Sequence, residues 1–159
     1  MSSRALLYIF AVPQDAKIKA LSQVPLFDGC SARELGFIAS RTDEVPVGAG
    51  RVLTKQGRPG NSFYVILDGE AEVEIDGAKR GTLKKGDFFG EISMLDRGNA
   101  TATVTTTKPS RLMVMSHSQF RDAVKASEAI LVKVLAVMGH RLRADLEAVR
   151  EREAKTRKR

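Results

Sequence analysis

From Asp43 to Met115 the chain takes a period of two and is cut by glycine about every ten residues, which restricts it to a mainly β architecture. Residues 44–47 and 51–54 are short strand candidates separated by Gly48-Ala49-Gly50, and Gly57-Arg58-Pro59-Gly60-Asn61 is a strong turn. Residues 63–67 form a wholly apolar strand and Asp68-Gly69 a hairpin turn. In the partner strand Ala71, Val73 and Ile75 alternate with Glu70, Glu72 and Glu74. Asp76-Gly77 turns the chain again, and residues 79–83, 103–106 and 111–115 complete the set. Seven or eight short strands so punctuated indicate an antiparallel sandwich or jelly-roll β-barrel.

Helical periods flank this stretch. Residues 15–22 place Ile18 and Leu21 three apart behind Asp15 as N-cap, and Val24-Pro25-Leu26-Phe27 ends that helix. Ser31-Ala32-Arg33-Glu34 is a capping box ahead of an apolar stripe of Leu35, Phe37 and Ile38. After Met115, residues 118–125 form a short helix, and Ser127 is the N-cap of a long one with Glu128 in its first turn. Leu131, Leu135, Met138, Leu142, Leu146 and Val149 then recur at steps of three and four. This single stripe lies on the barrel or pairs with a second copy in a coiled-coil-like seam; so long a helix overruns a small barrel, so its far half meets a partner or solvent. The expected organisation is a partly helical N-terminal segment (1–20), a β-barrel with short helices (21–126) and a C-terminal lid or dimerisation helix with a basic tail (127–159).

Several function classes are disfavoured. His117 and His140 are the only histidines and both fall in or beside the terminal helices, so the strands carry neither a cupin-like metal site nor a histidine-assisted nucleophile, and an enzyme is not expected. The single Cys30 excludes an internal disulfide framework and fits a reducing, cytoplasmic compartment. Arg4 followed by the eight apolar residues 5–12 looks like the start of a signal peptide, but the run is too short to span a bilayer and Pro13-Gln14-Asp15 is a poor cleavage site; packing on the domain is expected instead. The net charge is +7, and residues 147–159 hold six basic and three acidic residues. Such a tail can touch nucleic acid or acidic lipid, but a solvated helix end is the expected reading and nucleic-acid binding is not expected.

Residues 86–104, GDFFGEISMLDRGNATATV, concentrate the chemistry. A glycine opening a short helix leaves backbone N–H groups suited to an anion such as phosphate. Glu91 at that mouth would repel a phosphate and is better placed to accept from a sugar hydroxyl. A phosphate with a ribose hydroxyl describes a nucleotide.

Taken in order, Val24-Pro25-Leu26-Phe27, Gly50, Gln56-Gly57, residues 63–70 and residues 86–93 resemble the cyclic-nucleotide-binding domains of bacterial transcription regulators, kinase regulatory subunits and gated channels. The resemblance covers about residues 21–149. It implies a β-barrel with N-terminal helices, a short helix inside a phosphate-binding cassette, and a C-terminal hinge and lid helix. It also implies that Gly90 and its neighbours offer N–H groups to the cyclic phosphate, that Glu91 accepts the ribose 2′-hydroxyl, and that Ile92, Ser93, Ala100 and Thr101 complete the pocket. One position departs from the family. The cassette arginine that pairs with the phosphate falls nine positions after the glutamate, and Ala100 stands there. A charge-assisted bond of that kind contributes roughly 1.5–3 kcal/mol, or about one to two decades of affinity. Arg97, three residues earlier, is the candidate replacement. Thr101 occupies a position where some members use threonine to favour cGMP, yet small hydroxyl residues also occur there in cAMP binders.

The expectation is a non-catalytic regulatory sensor that binds cAMP in preference to cGMP, weakened by Ala100. It forms a homodimer or meets a partner protein through the C-terminal helix. The rival is a ligand-independent interaction protein that keeps the fold.

Overall fold

The structure, a computed structural model, describes residues 13–159; the reading of residues 1–12 falls outside them. Helix α1 (Gln14–Ser22) leads into a 3-10 turn (Pro25–Phe27) and α2 (Ala32–Ser40). Asp15 is not the N-cap of α1: Pro13 takes that place, its fixed φ suiting the entry, and Asp15 lies in the first turn where its negative charge complements the positive end of the helix dipole. The Ser31 capping box is present, with the Glu34 amide donating to the Ser31 hydroxyl and the Ser31 amide to the Glu34 carboxylate, each at 3.1 Å.

Eight strands follow: β1 (Asp43–Val47), β2 (Val52–Thr54), β3 (Phe63–Asp68), β4 (Glu70–Ile75), β5 (Ala78–Lys84), β6 (Phe88–Phe89), β7 (Thr103–Thr106) and β8 (Ser110–Met115). They make two antiparallel four-stranded sheets, β1-β8-β3-β6 and β2-β7-β4-β5, the strand order of a jelly roll. Between the sheets lie Ile66, Ala71, Phe89, Val104 and Leu112. Strand β3 is apolar from Phe63 to Leu67 because it serves two cores: Ile66 points between the sheets, while Phe63, Val65 and Leu67 alternate onto the outer face and pack beneath the helices. Phe63 meets Phe120 of α4 (His117–Ala126) with ring centroids 4.9 Å apart.

Helix α4 begins at a capping box formed by Ser116 and Gln119. Ser127 does cap α5 (Glu128–Arg157), but only by backbone geometry: its hydroxyl makes no capping bond and lies 3.6 Å from the Cys30 thiol. The single stripe expected of α5 is two stripes. Ile130 and Val134 are buried on the barrel with Val137 and Met138 partly covered, whereas Val132, Leu135, Leu142, Leu146 and Val149 are exposed. Steps of three and four fit either face of so long a helix, so periodicity alone merged them. The root of α5 is tied down by Lys133, whose ammonium donates to the carbonyls of Pro25, at 2.7 Å, and Asp28.

Candidate functional site

The sequence between β6 and β7 folds as its residue types dictate. Gly90 enters helix α3 (Glu91–Asp96) at φ 88°, a left-handed conformation, and a Cβ there would stand 2.4 Å from the Ser62 carbonyl oxygen. Only glycine lets α3 begin so close to the start of β3. Gly60 is equally constrained, since a Cβ would fall 2.2 Å from the Ser93 hydroxyl. The turn at residues 57–60 therefore lies directly on α3. His117 holds it from the other side, its Nε2 lying 3.0 Å from the Gly60 carbonyl oxygen.

These elements enclose a cavity of about 320 Å³, within the range of small-ligand sites. Val73 and Leu83 give it apolar wall, and Gly90, Glu91, Ile92 and Ser93 line it from the start of α3. Ala100 and Thr101 line it from the following loop. Six of the seven site residues expected from the sequence thus meet in one place. Arg97 does not join them: it ends α3 in a left-handed conformation, exposed and outside the lining.

Glu91 is 2% exposed, and its carboxylate is already engaged. Arg141 of α5 forms a salt bridge to it, donates a second bond to the Phe88 carbonyl at 2.6 Å, and stacks over the Phe88 ring with its guanidinium carbon 5.4 Å from the centroid. Asp145, one helical turn on, and Arg80 of β5 also line the cavity. Sequence reasoning missed all three. The one available signal for Arg141 was its position: a cation at the next step of the barrel-facing series Ile130, Val134, Val137, where burial without a carboxylate would be costly.

The site can therefore hold a small ligand with an apolar face against the sheets, a hydroxyl on Glu91 and polar groups near Ser93 and Thr101. Among the described residues, no group of three or more His, Cys, Asp or Glu could hold a metal ion, and no helix is long and apolar enough to cross a membrane.

Residues 44–127 match the family model described as a cyclic nucleotide-binding domain. The chain is 30% identical over 117 residues to a putative potassium channel protein of Rhodopseudomonas palustris, covering 72% of this chain and 28% of that protein. It is 30% identical over 113 residues to the cAMP-dependent protein kinase regulatory subunit of Emericella nidulans, covering 70% and 27% respectively. The chain spans about a quarter of the length of these curated relatives. Among solved structures, the catabolite activator protein of Thermus thermophilus superposes with a TM-score of 0.69 at 26% identity, over 77% of this chain and 61% of that one.

Proposed function

The chain belongs to the cyclic nucleotide-binding domain family, and from that premise we propose that it is a non-catalytic sensor module whose cavity takes cAMP in preference to cGMP. The observation that carries the reading is the Glu91–Arg141 pair: the carboxylate suited to a ribose hydroxyl is buried in the cavity and held by a side chain of the long helix. A ligand that engages Glu91 does so beside the guanidinium of Arg141 and so acts on α5, shifting a pre-existing equilibrium of helix positions. The preference for cAMP is supported by the cAMP-dependent kinase subunits among the relatives, and the reduced affinity by Ala100. The free thiol of Cys30 is in keeping with a cytoplasmic setting.

The output is a homodimer through α5. Val132, Leu135, Gly139, Leu142, Leu146 and Val149 alternate steps of three and four on the exposed face, the a and d positions of a heptad. A second copy fits this face over Val132 to Val149, where in a parallel pair the register brings Asp145 of one copy opposite Arg150 of the other; beyond it Arg152 would face Arg157, so the seam ends there.

Calorimetric titration with cAMP and cGMP tests the sensor reading, alongside melting temperature at millimolar ligand. Binding to the native state alone must raise that temperature. Heat and a shift with cAMP, smaller with cGMP, are expected; a flat titration with both would overturn it. A second reading is favoured by the same ion pair: because Arg141 already satisfies Glu91, the fold is complete without ligand and can serve as a ligand-independent interaction protein. That reading predicts an oligomer insensitive to nucleotide.

A further inference from the structure

Ala100 leaves the loop after α3 with only a methyl at the cavity, and Arg97 stays outside it. Two cations line the cavity. Arg80 comes from β5, is exposed and forms no ion pair among the described residues. Arg141 is in direct contact with Glu91.

The covalent structure of the ligand decides between them. In a 3′,5′-cyclic nucleotide the 2′-hydroxyl and the 3′-oxygen that carries phosphorus sit on adjacent ring carbons. Whatever group receives the 2′-hydroxyl therefore has the phosphate beside it. A ligand whose hydroxyl lies on Glu91 brings its phosphate next to the guanidinium that already bonds that carboxylate. Arginine has five N–H donors in a planar fork, and Arg141 commits one nitrogen to Glu91 and one to the Phe88 carbonyl. Its side chain is 40% exposed, against 3% for Glu91, so it is the partner with room to turn.

We infer that Arg141 is the phosphate cation of this site, supplied from α5 in place of the cassette arginine that Ala100 replaces. It keeps Glu91 and turns its other donors from the Phe88 carbonyl to the phosphate. This rests on the cyclic nucleotide reading of the cavity and adds a coupling to it. With the cation on the helix that responds, ligand affinity and helix position are one equilibrium: whatever draws α5 away from the barrel weakens binding by the factor by which the ligand holds α5 in place.

The test is calorimetric titration of the full chain with cAMP and, separately, with adenosine, which keeps the 2′-hydroxyl but has no phosphate. Four proteins are compared: the unaltered chain, Arg141→Gln, Ala100→Arg and the double variant, with circular dichroism to establish that each is folded. Arg141→Gln is expected to lose about ten- to hundred-fold in cAMP affinity, the scale of one charge-assisted bond, and nothing in adenosine affinity. The double variant is expected to recover cAMP binding. Should Arg141→Gln prove unstable, Arg141→Lys keeps the charge without the fork and is expected to fall between it and the unaltered chain. Equal or tighter cAMP binding by Arg141→Gln overturns the inference, since Arg141 would then be only an occupant that ligand displaces. If Ala100→Arg binds cAMP while the unaltered chain does not, the cavity reading stands and the role of Arg141 falls. If neither binds, both fall.

Discussion

Ala100 and Arg58 are locked backbone to backbone: the Ala100 amide donates to the Arg58 carbonyl at 2.7 Å, and the adjacent Gly57 amide donates to the Ala100 carbonyl at 2.9 Å. The path of the loop past the cavity is thus set by main-chain bonds in which the Ala100 side chain takes no part. Ala100→Arg is expected to change unfolding free energy by no more than about 0.5 kcal/mol, read from urea denaturation, and to tighten cAMP binding about tenfold. A clear loss of stability would show that the methyl is packed rather than merely placed.

The Glu91–Arg141 pair is unequal in burial, and its two halves are expected to respond differently to loss. Removing Arg141 leaves a carboxylate at 3% side-chain exposure without its cation; removing the charge of Glu91 leaves a guanidinium that can turn to water. Arg141→Ala is expected to cost about 1–3 kcal/mol in urea unfolding, and Glu91→Gln less. Equal losses would contradict the asymmetry.

Gly90→Ala is expected to be the costliest small substitution in the cassette. It combines a left-handed φ with a Cβ 2.4 Å from a backbone oxygen that no rotamer change can move. Strain of this kind costs about 1–3 kcal/mol before the clash is counted, and a lowered thermal midpoint without ligand measures it.

Leu142→Asp separates the helix's two faces. Leu142 is 59% exposed, so the subunit is expected to keep its stability within about 0.5 kcal/mol, while sedimentation equilibrium should show the dimer lost. A dimer that survives this change is held by some other surface.

Gly139→Ala, made in the Leu142→Asp background so that the seam is open, is expected to stabilise the chain by about 0.5–1 kcal/mol, because glycine is a poor helix former and the added Cβ meets nothing within 4 Å in the single chain. Its melting temperature checks this.

What could be read from the sequence was what neighbours in the chain decide. Gly90, Glu91 and Ser93 share one turn, so their meeting at the cavity followed from local spacing, as did the Ser31–Glu34 box. The β3 strand was legible because it is apolar on both faces. Arg141 was not: it reaches Glu91 across fifty positions, and no local pattern says which carboxylate a helical arginine will meet. Arg97 stands outside the cavity lining, closing α3 in a left-handed conformation with φ of 59° and its side chain exposed. Six apolar residues at helical steps looked like one surface until packing divided α5 into a barrel side and an open side.

The bonds from Lys133 to the 3-10 turn give α5 a fulcrum. At 1.5 Å per residue, Arg141 lies about 12 Å along the axis from that point and Arg157 about 36 Å. A rigid rotation about Lys133 just large enough to part Arg141 from Glu91 would carry the far tip about three times as far. On the proposed function, α5 is then a lever: Arg141 sits on the inner third of the arm that runs out from Lys133, Leu142, Leu146 and Val149 lie farther out, and a displacement on the scale of one hydrogen bond at the cavity is delivered magnified to the outer part of the heptad face.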